Sequence, residues 1–230
     1  MLSIIIPALD AAACLGATLD SLAEARSSGL AGEVVVVDGG SVDGTVALAR
    51  AWGARVVQAP RGRGPQLAAG ALAARGDWFL FLHADTCLAG GWGEVAGRFI
   101  RDPAMARQAG AFALRFDSPA AQARRLEHAV AWRSRWLGLP YGDQGLLLAR
   151  SLYFELGGFR PLPLMEDVEF VGRIGRRRLK VLASHAITSA SRYERDGWIR
   201  RSARNLACLA LWYLGVPAER LRWLYAGRGR

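Results

Sequence analysis

Lysine is almost missing from this chain. Lys180 stands alone among 30 basic residues, and the other 29 are arginines. The net charge of +10 is therefore an arginine excess, in a sequence also rich in alanine and glycine, and the bias reads as a GC-rich coding sequence. No zinc-finger spacing, no interleaving of aromatic and basic residues and no isolated basic arm accompanies it, so nucleic acid is not the expected partner. A basic surface still favours anions, whether phosphates or a lipid surface. Cysteine is scarce too. Cys14, Cys87 and Cys208 are odd in number and far apart, which excludes a disulfide framework and a zinc cluster and points to a reducing cytoplasm. No basic segment followed by a long apolar one opens the sequence, so no signal peptide is expected. The longest apolar stretch, residues 206–216, is too short to span a bilayer.

What is present suits a folded enzyme. Hydrophobic residues make up 52% and charged residues 22% of the 230, the balance of a globular protein with room for one large domain. Short apolar runs alternate with helical patterns: strands are expected at 3–6, 33–37, 54–58 and 78–82, and helices at 11–26, 43–52 and 64–74. Residues 33–37, one glutamate and four valines, suit a strand buried on both faces. This rhythm predicts an α/β fold with a mostly parallel, doubly wound sheet flanked by helices. Further on, strands are expected at 110–116, 143–149 and 179–183, with helices at 120–135, 151–156 and 165–175. Two more helices, 198–214 and 217–225, are broken by Gly215-Val216-Pro217, a glycine stop followed by a proline start. The chain divides into a catalytic unit over 1–195 and a helical C-terminal extension over 196–230, packed on it.

In an open parallel sheet ligands bind at the carboxyl ends of the strands. Three expected strand ends deliver an acid there: Asp10 after Pro7, Asp38 before Gly39-Gly40-Ser41-Val42-Asp43-Gly44-Thr45, and Asp85 after His83-Ala84. The glycines permit close ligand approach, and Asp38 is placed to accept from a base or ribose. Neither the dinucleotide fingerprint nor the P-loop is present. Arg61-Gly62-Arg63-Gly64-Pro65-Gln66 opens a helix, where cations and the helix dipole together favour an anion. Asp85 ends an apolar strand, and a divalent cation would relieve its desolvation, with diphosphate oxygens completing the shell. His83, two residues away, falls on the same side as a second ligand, and an imidazole suits Mn2+ better than Mg2+. Glu166 and Asp167 stand at a loop-to-helix boundary. There the dipole keeps Asp167 ionised, as a general base must be.

Taken in order, Ser-Ile-Ile-Ile-Pro at 3–7, Val-Asp-Gly-Gly-Ser-Val-Asp-Gly-Thr at 37–45, Leu-His-Ala-Asp-Thr at 82–86, Gly-Gly-Phe at 157–159 and Glu-Asp at 166–167 resemble family 2 glycosyltransferases of the GT-A fold. The resemblance spans residues 2–195 and is closest to a small bacterial subgroup labelled arsenosugar-biosynthesis glycosyltransferases. It implies an inverting transfer of a sugar from a nucleoside-diphosphate donor to an acceptor hydroxyl, with Mn2+ or Mg2+ as cofactor. It also implies that Pro7, Asp10, Asp38, Gly39, Gly40, Ser41, Asp43, Arg61, Arg63, Gln66, Ala84 and Asp85 line the nucleotide sugar. Asp85 and His83 would hold the metal, Asp167 with Glu166 would be catalytic, and Asp143, Gln144 and Gly158 would lie on the acceptor side. The sequence departs from the pattern where Asp10-Ala11 replaces Asn-Glu, where His83 replaces the first Asp of Asp-x-Asp, and at Ala68, commonly Asn. Those departures leave a silent nucleotide-sugar sensor as one alternative. A sugar nucleotidylyltransferase is another, although residues 7–14 hold no basic group for a triphosphate. Arg195, Arg200, Arg201 and Arg204 crowd a helix start, against its dipole, with Asp196 as a partial offset. They suit a phosphate or the inner membrane face. The apolar Trp198, Ile199, Leu206, Leu209, Trp212 and Tyr213 are expected to pack on the domain, with a lipid-facing side as the alternative.

Overall fold

Two buried faces of one sheet explain the uninterrupted apolar runs. In the computed structural model, which describes residues 1–226, Ile4 and Ile6 of the first strand β1 (Leu2–Ala8) point into one layer with Leu15, Leu19, Val34, Val36 and Trp92. Ile5 points into the other, with Val35, Val37, Leu67 and Phe79. Each such side chain contributes roughly 1.5–3 kcal/mol by leaving water. β1 pairs in parallel with β2 (Ala31–Asp38) and β4 (Trp78–Phe81), and β2 with β3 (Arg55–Gln58). The remaining strands are β5 (Thr86–Leu88), β6 (Ala109–Phe116), β7 (Leu146–Ala149) and β8 (Leu179–Thr188). The sheet runs β3-β2-β1-β4-β7-β6-β8-β5, with only β7 and β5 against the common direction.

Helices cover both faces, as expected. α1 (Ala12–Asp20), α2 (Ala23–Ser27), α3 (Thr45–Trp52) and α5 (Trp92–Arg101) fill the first layer; α4 (Arg63–Ala73), α7 (Arg150–Glu155) and α8 (Glu166–Ile174) fill the second. α5 and β5 were not expected from the pattern, and β8 is longer than expected. α5 carries Gly93 and Gly97, which weaken helix propensity, yet Trp92, Ala96 and Phe99 form its buried row and the Trp92 indole donates to the Ser21 carbonyl (2.9 Å). β5 has only three residues. β8 runs five residues past its expected end because Leu182 pairs with Phe112 and His185 with Ala113, leaving Ala183 and Ser184 as an irregularity that breaks the alternation.

The C-terminal helices are α9 (Ser191–Asp196), α10 (Trp198–Tyr213) and α11 (Ala218–Ala226), after α6 (Ala121–Trp132). The helical run thus starts at Ser191, ahead of residue 196. Trp198 packs on Phe116 and Tyr193, while Leu209 and Trp212 join Cys208, Met165 and Val168. The other half of the expected packing does not form. Ile199, Leu206 and Tyr213 are 86%, 64% and 60% exposed. They lie at i, i+7 and i+14, opposite the buried Arg201 and Cys208. Asp196 gathers Arg195 (2.9 Å), Arg201 (3.3 Å) and Arg204 (3.5 Å), which offsets cations at the wrong end of a helix dipole.

Candidate active site

The loops after β1 and β2 are stitched into one rim. Val42 N–H donates to Asp10 Oδ1 (2.9 Å), Asp10 N–H to Ser41 Oγ (2.9 Å), Ala12 N–H to Asp43 Oδ2 (3.0 Å) and Ala11 N–H to Thr45 Oγ1 (2.7 Å). Ser41 and Asp43 thus support the loop. Asp38, 1% exposed, takes hydrogen bonds from the Gly40 and Ser41 N–H groups and the Ser41 hydroxyl. Burial opposes its charge, but these donors hold its carboxyl below the usual carboxylate range. Its oxygens serve their own turn, and the exposed Gly40 presents main chain to the cleft. Pro7 sits where a further β1–β4 rung would form: Leu82 N–H donates to Ile5 (3.0 Å), but Pro7 has no N–H to answer. The chain leaves the sheet there and forms the turn of His83, Ala84 and Asp85, which the Thr18 hydroxyl holds at the Ala84 carbonyl (2.7 Å).

Asp85, half-buried, faces Arg192 of α9, with Nη2 3.9 Å from Oδ2. His83 is half-buried, and burial together with the nearby Arg63 pushes its imidazole down to about 4, so it is neutral near pH 7. Arg63 lies 4.0 Å from Glu166 Oε1. Glu166 is 2% exposed; burial and the adjoining Asp167 push it up to about 7, against the pull of Arg63. It is the inner member of the acidic pair.

Asp167 is the outer one. Its Oδ2 accepts from Gly142 N–H (2.8 Å) and its Oδ1 from Val168 N–H (2.8 Å). The preceding Met165 adopts φ +64, and Asp10 φ +47; these are the two non-glycine residues with positive φ among the described residues. Such conformations cost about 1–3 kcal/mol and cluster at functional sites. Met165 is held there by packing on Val168, Cys208 and Leu221. Gly142 allows the close approach: a Cβ on it would lie 2.5 Å from His83 Nε2 and 3.2 Å from Asp167 Oδ2. Asp143 follows. Burial pushes its carboxyl up to about 6, and Asp167 and Asp85 add to this while Arg133 opposes it.

The structure therefore brings Asp85, His83, Arg63, Glu166, Asp167 and Asp143 together beside the Asp10–Asp43 rim. Three other expected residues face elsewhere. Gln66, 3% exposed, spends both amide hydrogens on the Ala8 (2.8 Å) and Val37 (2.7 Å) carbonyls, so it clamps the ends of β1 and β2. Gln144 accepts from Ser134 (3.0 Å) and donates to Phe112 (2.9 Å). Gly158 is buried against Tyr153, and its carbonyl accepts from Arg173 (2.6 Å). Arg61 is exposed. Sequence reasoning missed Arg192, Arg133 and Tyr141. Arg192 sits in an unrecognised helix; the Arg133 guanidinium lies 4.0 Å from the Tyr141 ring centroid, a contact no short-range spacing reveals.

Among the described residues no cluster of three or more acidic, histidine or cysteine side chains is able to enclose a metal. The donor set nevertheless fits an open site. Asp85 offers hard oxygen and His83 a neutral nitrogen, and anionic ligand oxygens would supply the rest.

The family model described as Glycosyl transferase family 2 matches residues 3–163. Glucosyl-3-phosphoglycerate synthase of Mycolicibacterium paratuberculosis is 36% identical over 93 residues, which is 36% of this chain and 28% of that protein. A PGL/p-HBAD biosynthesis glycosyltransferase of Mycobacterium tuberculosis is 40% identical over 95 residues, 38% of this chain and 36% of that one. This chain thus spans about a third of these relatives' length. Among solved structures, glucosyl-3-phosphoglycerate synthase of Mycobacterium tuberculosis, in complex with Mn2+, UDP and glucosyl-3-phosphoglycerate, matches with a TM-score of 0.58 at 23% identity. The match covers 82% of this chain and 70% of that one. That likeness places the α/β architecture in the GT-A fold.

Proposed function

Since this chain belongs to glycosyl transferase family 2, we propose that it moves a sugar from a nucleoside-diphosphate donor to an acceptor hydroxyl, inverting the anomeric centre, with Asp167 as general base. The observation that carries this reading is Asp167 itself. Its carboxylate is oriented by two main-chain N–H groups, on the cleft that Asp85 and Arg192 also line. Each oxygen keeps a lone-pair direction free for an acceptor proton. Glu166, buried beneath it and 4.0 Å from the partly exposed Arg63, supports the pair and does not meet substrate.

The donor's nucleoside lies on the rim that Asp10, Ser41 and Asp43 brace, with Gly39 and Gly40 offering main chain. Arg192 faces the diphosphate and, with Arg63, stabilises the charge that builds on the leaving group. A divalent cation, Mn2+ or Mg2+, would be held by Asp85 with His83 beside it, and would supply Lewis-acid neutralisation of that same charge. Asp167 takes the proton of the acceptor hydroxyl as its oxygen attacks the anomeric carbon, and the nucleoside diphosphate departs on the opposite face.

Asp167→Asn is the test. General-base action is worth roughly 10²–10⁴-fold, so kcat should fall by that factor while donor affinity stays within about twofold. An equal loss of donor affinity would make Asp167 a binding or structural residue. Peripheral contact with an anionic bilayer is part of the proposal. The exposed row of Ile199, Leu206 and Tyr213 and the net charge of +10 suit an interfacial helix, and among the described residues no helix is long and apolar enough to cross a membrane.

A further inference from the structure

Helix α9 brings Arg192 to Asp85, yet the hold on its first residue comes from a distant part of the chain. Ala190 stands at the cap position, where a side-chain oxygen is usual, and has none to offer. Asp117, the residue after β6, accepts the Ala190 N–H at Oδ1 (2.7 Å), and its own N–H donates to the Thr188 carbonyl (3.2 Å). Its neighbour Ser118, 6% exposed, donates to Glu194 Oε1 (2.7 Å). Ala190 and Glu194 stand at i and i+4, so they share a helix face, and Arg192 between them projects the other way. The loop after β6 thus grips α9 from one side. Arg192 leaves from the opposite side, where Asp85 Oδ2 lies 3.9 Å from its Nη2.

Asp85 is fixed to the same frame. Thr86, next to it, donates to Thr188 (3.2 Å) in a buried rung between β5 and β8, and Ser189 N–H donates to the Asp85 carbonyl (3.4 Å). We propose that Asp117 is a positioning residue of the transfer reaction: by holding the Ala190 N–H it sets the rotation of α9, and so the place of the Arg192 guanidinium at the donor diphosphate. The bond joins a carboxylate to a main-chain donor, the stronger, charge-assisted kind. Other contacts keep α9 in place without it, namely Ser118 on Glu194 and the Tyr193 ring against Phe116 and Trp198. Loss of Asp117 therefore frees the start of the helix and leaves the helix folded. This rests on the glycosyltransferase reading and on Arg192 as its diphosphate cation.

The test is a double-mutant cycle on the full chain with Mn2+. It is read as kcat/KM for donor hydrolysis and as affinity for whichever of UDP, GDP, ADP, CDP and dTDP the wild type binds best. Asp117→Ala should lower both by about three- to tenfold, because the cation that meets the diphosphate is misplaced. In an Arg192→Ala background the same change should alter them by less than about twofold, since the group it positions is already gone. Tm should fall alike in both backgrounds, because the lost cap does not depend on Arg192. Asp117→Asn keeps an acceptor oxygen for Ala190 and should recover most of the wild-type affinity. An equal fold-loss in the two backgrounds would make Asp117 a structural cap alone and overturns the proposal. So does an unchanged diphosphate affinity in Asp117→Ala, or an Asp117→Asn protein as impaired as Asp117→Ala. If Arg192→Ala by itself leaves both readouts unchanged, the proposal falls and the enzyme class stands. A wild-type chain that binds none of these diphosphates and hydrolyses no nucleotide sugar overturns the glycosyltransferase reading and takes the proposal with it.

Discussion

Replacing Gly142 by alanine isolates the point where three distant parts of the chain meet. Gly142 does not adopt a positive φ, so alanine costs little in backbone strain and its effect is that of one methyl group. That methyl carbon would lie 2.5 Å from His83 Nε2, 3.0 Å from His83 Cε1 and 3.2 Å from Asp167 Oδ2. Non-bonded carbon atoms rest at about 3.5–4.0 Å, so His83 must retreat by about 1 Å or the turn must move away from α8. Either movement displaces the group that orients Asp167, since the 2.8 Å bond from Gly142 N–H is part of the same contact. A misplacement of about 1 Å at a reacting group costs about 10²-fold, or ~2.7 kcal/mol of barrier. Overpacking costs about 1–3 kcal/mol of stability, and each kcal/mol lowers Tm by about 2–4 °C in a chain of this size. The assay is transfer or donor hydrolysis under saturating donor, with Tm measured alongside. Gly39→Ala is the control: its Cβ would crowd Gln66 at 3.1–3.2 Å, on the donor side, and should weaken donor binding more than kcat. A folded Gly142→Ala protein with unchanged kcat would show that the contact between His83, Gly142 and Asp167 does not set the position of the base.

Four further outcomes follow from the geometry. Gln66→Leu orphans the Ala8 and Val37 carbonyls and should cost about 2–4 kcal/mol of unfolding free energy, read as a lower denaturation midpoint. Burial and the adjoining Asp167 push Glu166 up to about 7 from an ordinary 4.5, so its contribution to stability is complete below about pH 4.5 and is lost as pH rises through about 7; Glu166→Gln should flatten that fall in Tm-versus-pH scans. Arg192→Ala breaks an exposed pair with Asp85 and should shift stability by less than about 0.5 kcal/mol, while raising donor KM about tenfold; unchanged donor KM would remove Arg192 from the diphosphate. Ile199→Glu with Leu206→Glu should abolish sedimentation with anionic liposomes and leave Tm unchanged, and a wild-type chain that fails to sediment at low salt would remove the membrane contact.

The sheet was legible because alternation survives in it. Ile4, Ile5 and Ile6 serve opposite layers, and four consecutive valines in β2 fit only a strand covered twice. The acids at strand ends were legible for the same reason, since a strand's direction fixes where its end falls. Partners from distant segments were not. Arg192 reaches Asp85 across more than one hundred residues, and nothing near Gln66 tells that its amide bridges two strand ends instead of meeting a nucleotide. Which apolar residues of α10 would be covered was not legible, because an apolar stripe looks the same whether or not something covers it: Trp198, Leu209 and Trp212 pack, and Ile199, Leu206 and Tyr213 are exposed.

Helix α4 performs two duties within its first turn. Gln66 bolts it to the ends of β1 and β2, and Arg63 bears on Glu166 beneath the base. Between them Gly64 abuts the main chain of Arg160 and Leu162 so closely that a methyl group would collide. The turn thus ties the rim at the ends of β1 and β2 to the acidic pair through a few close contacts. On the roles proposed above, a displacement of the rim would reach Glu166 and Asp167, and the expected kinetic signature is compulsory order, donor first and acceptor second.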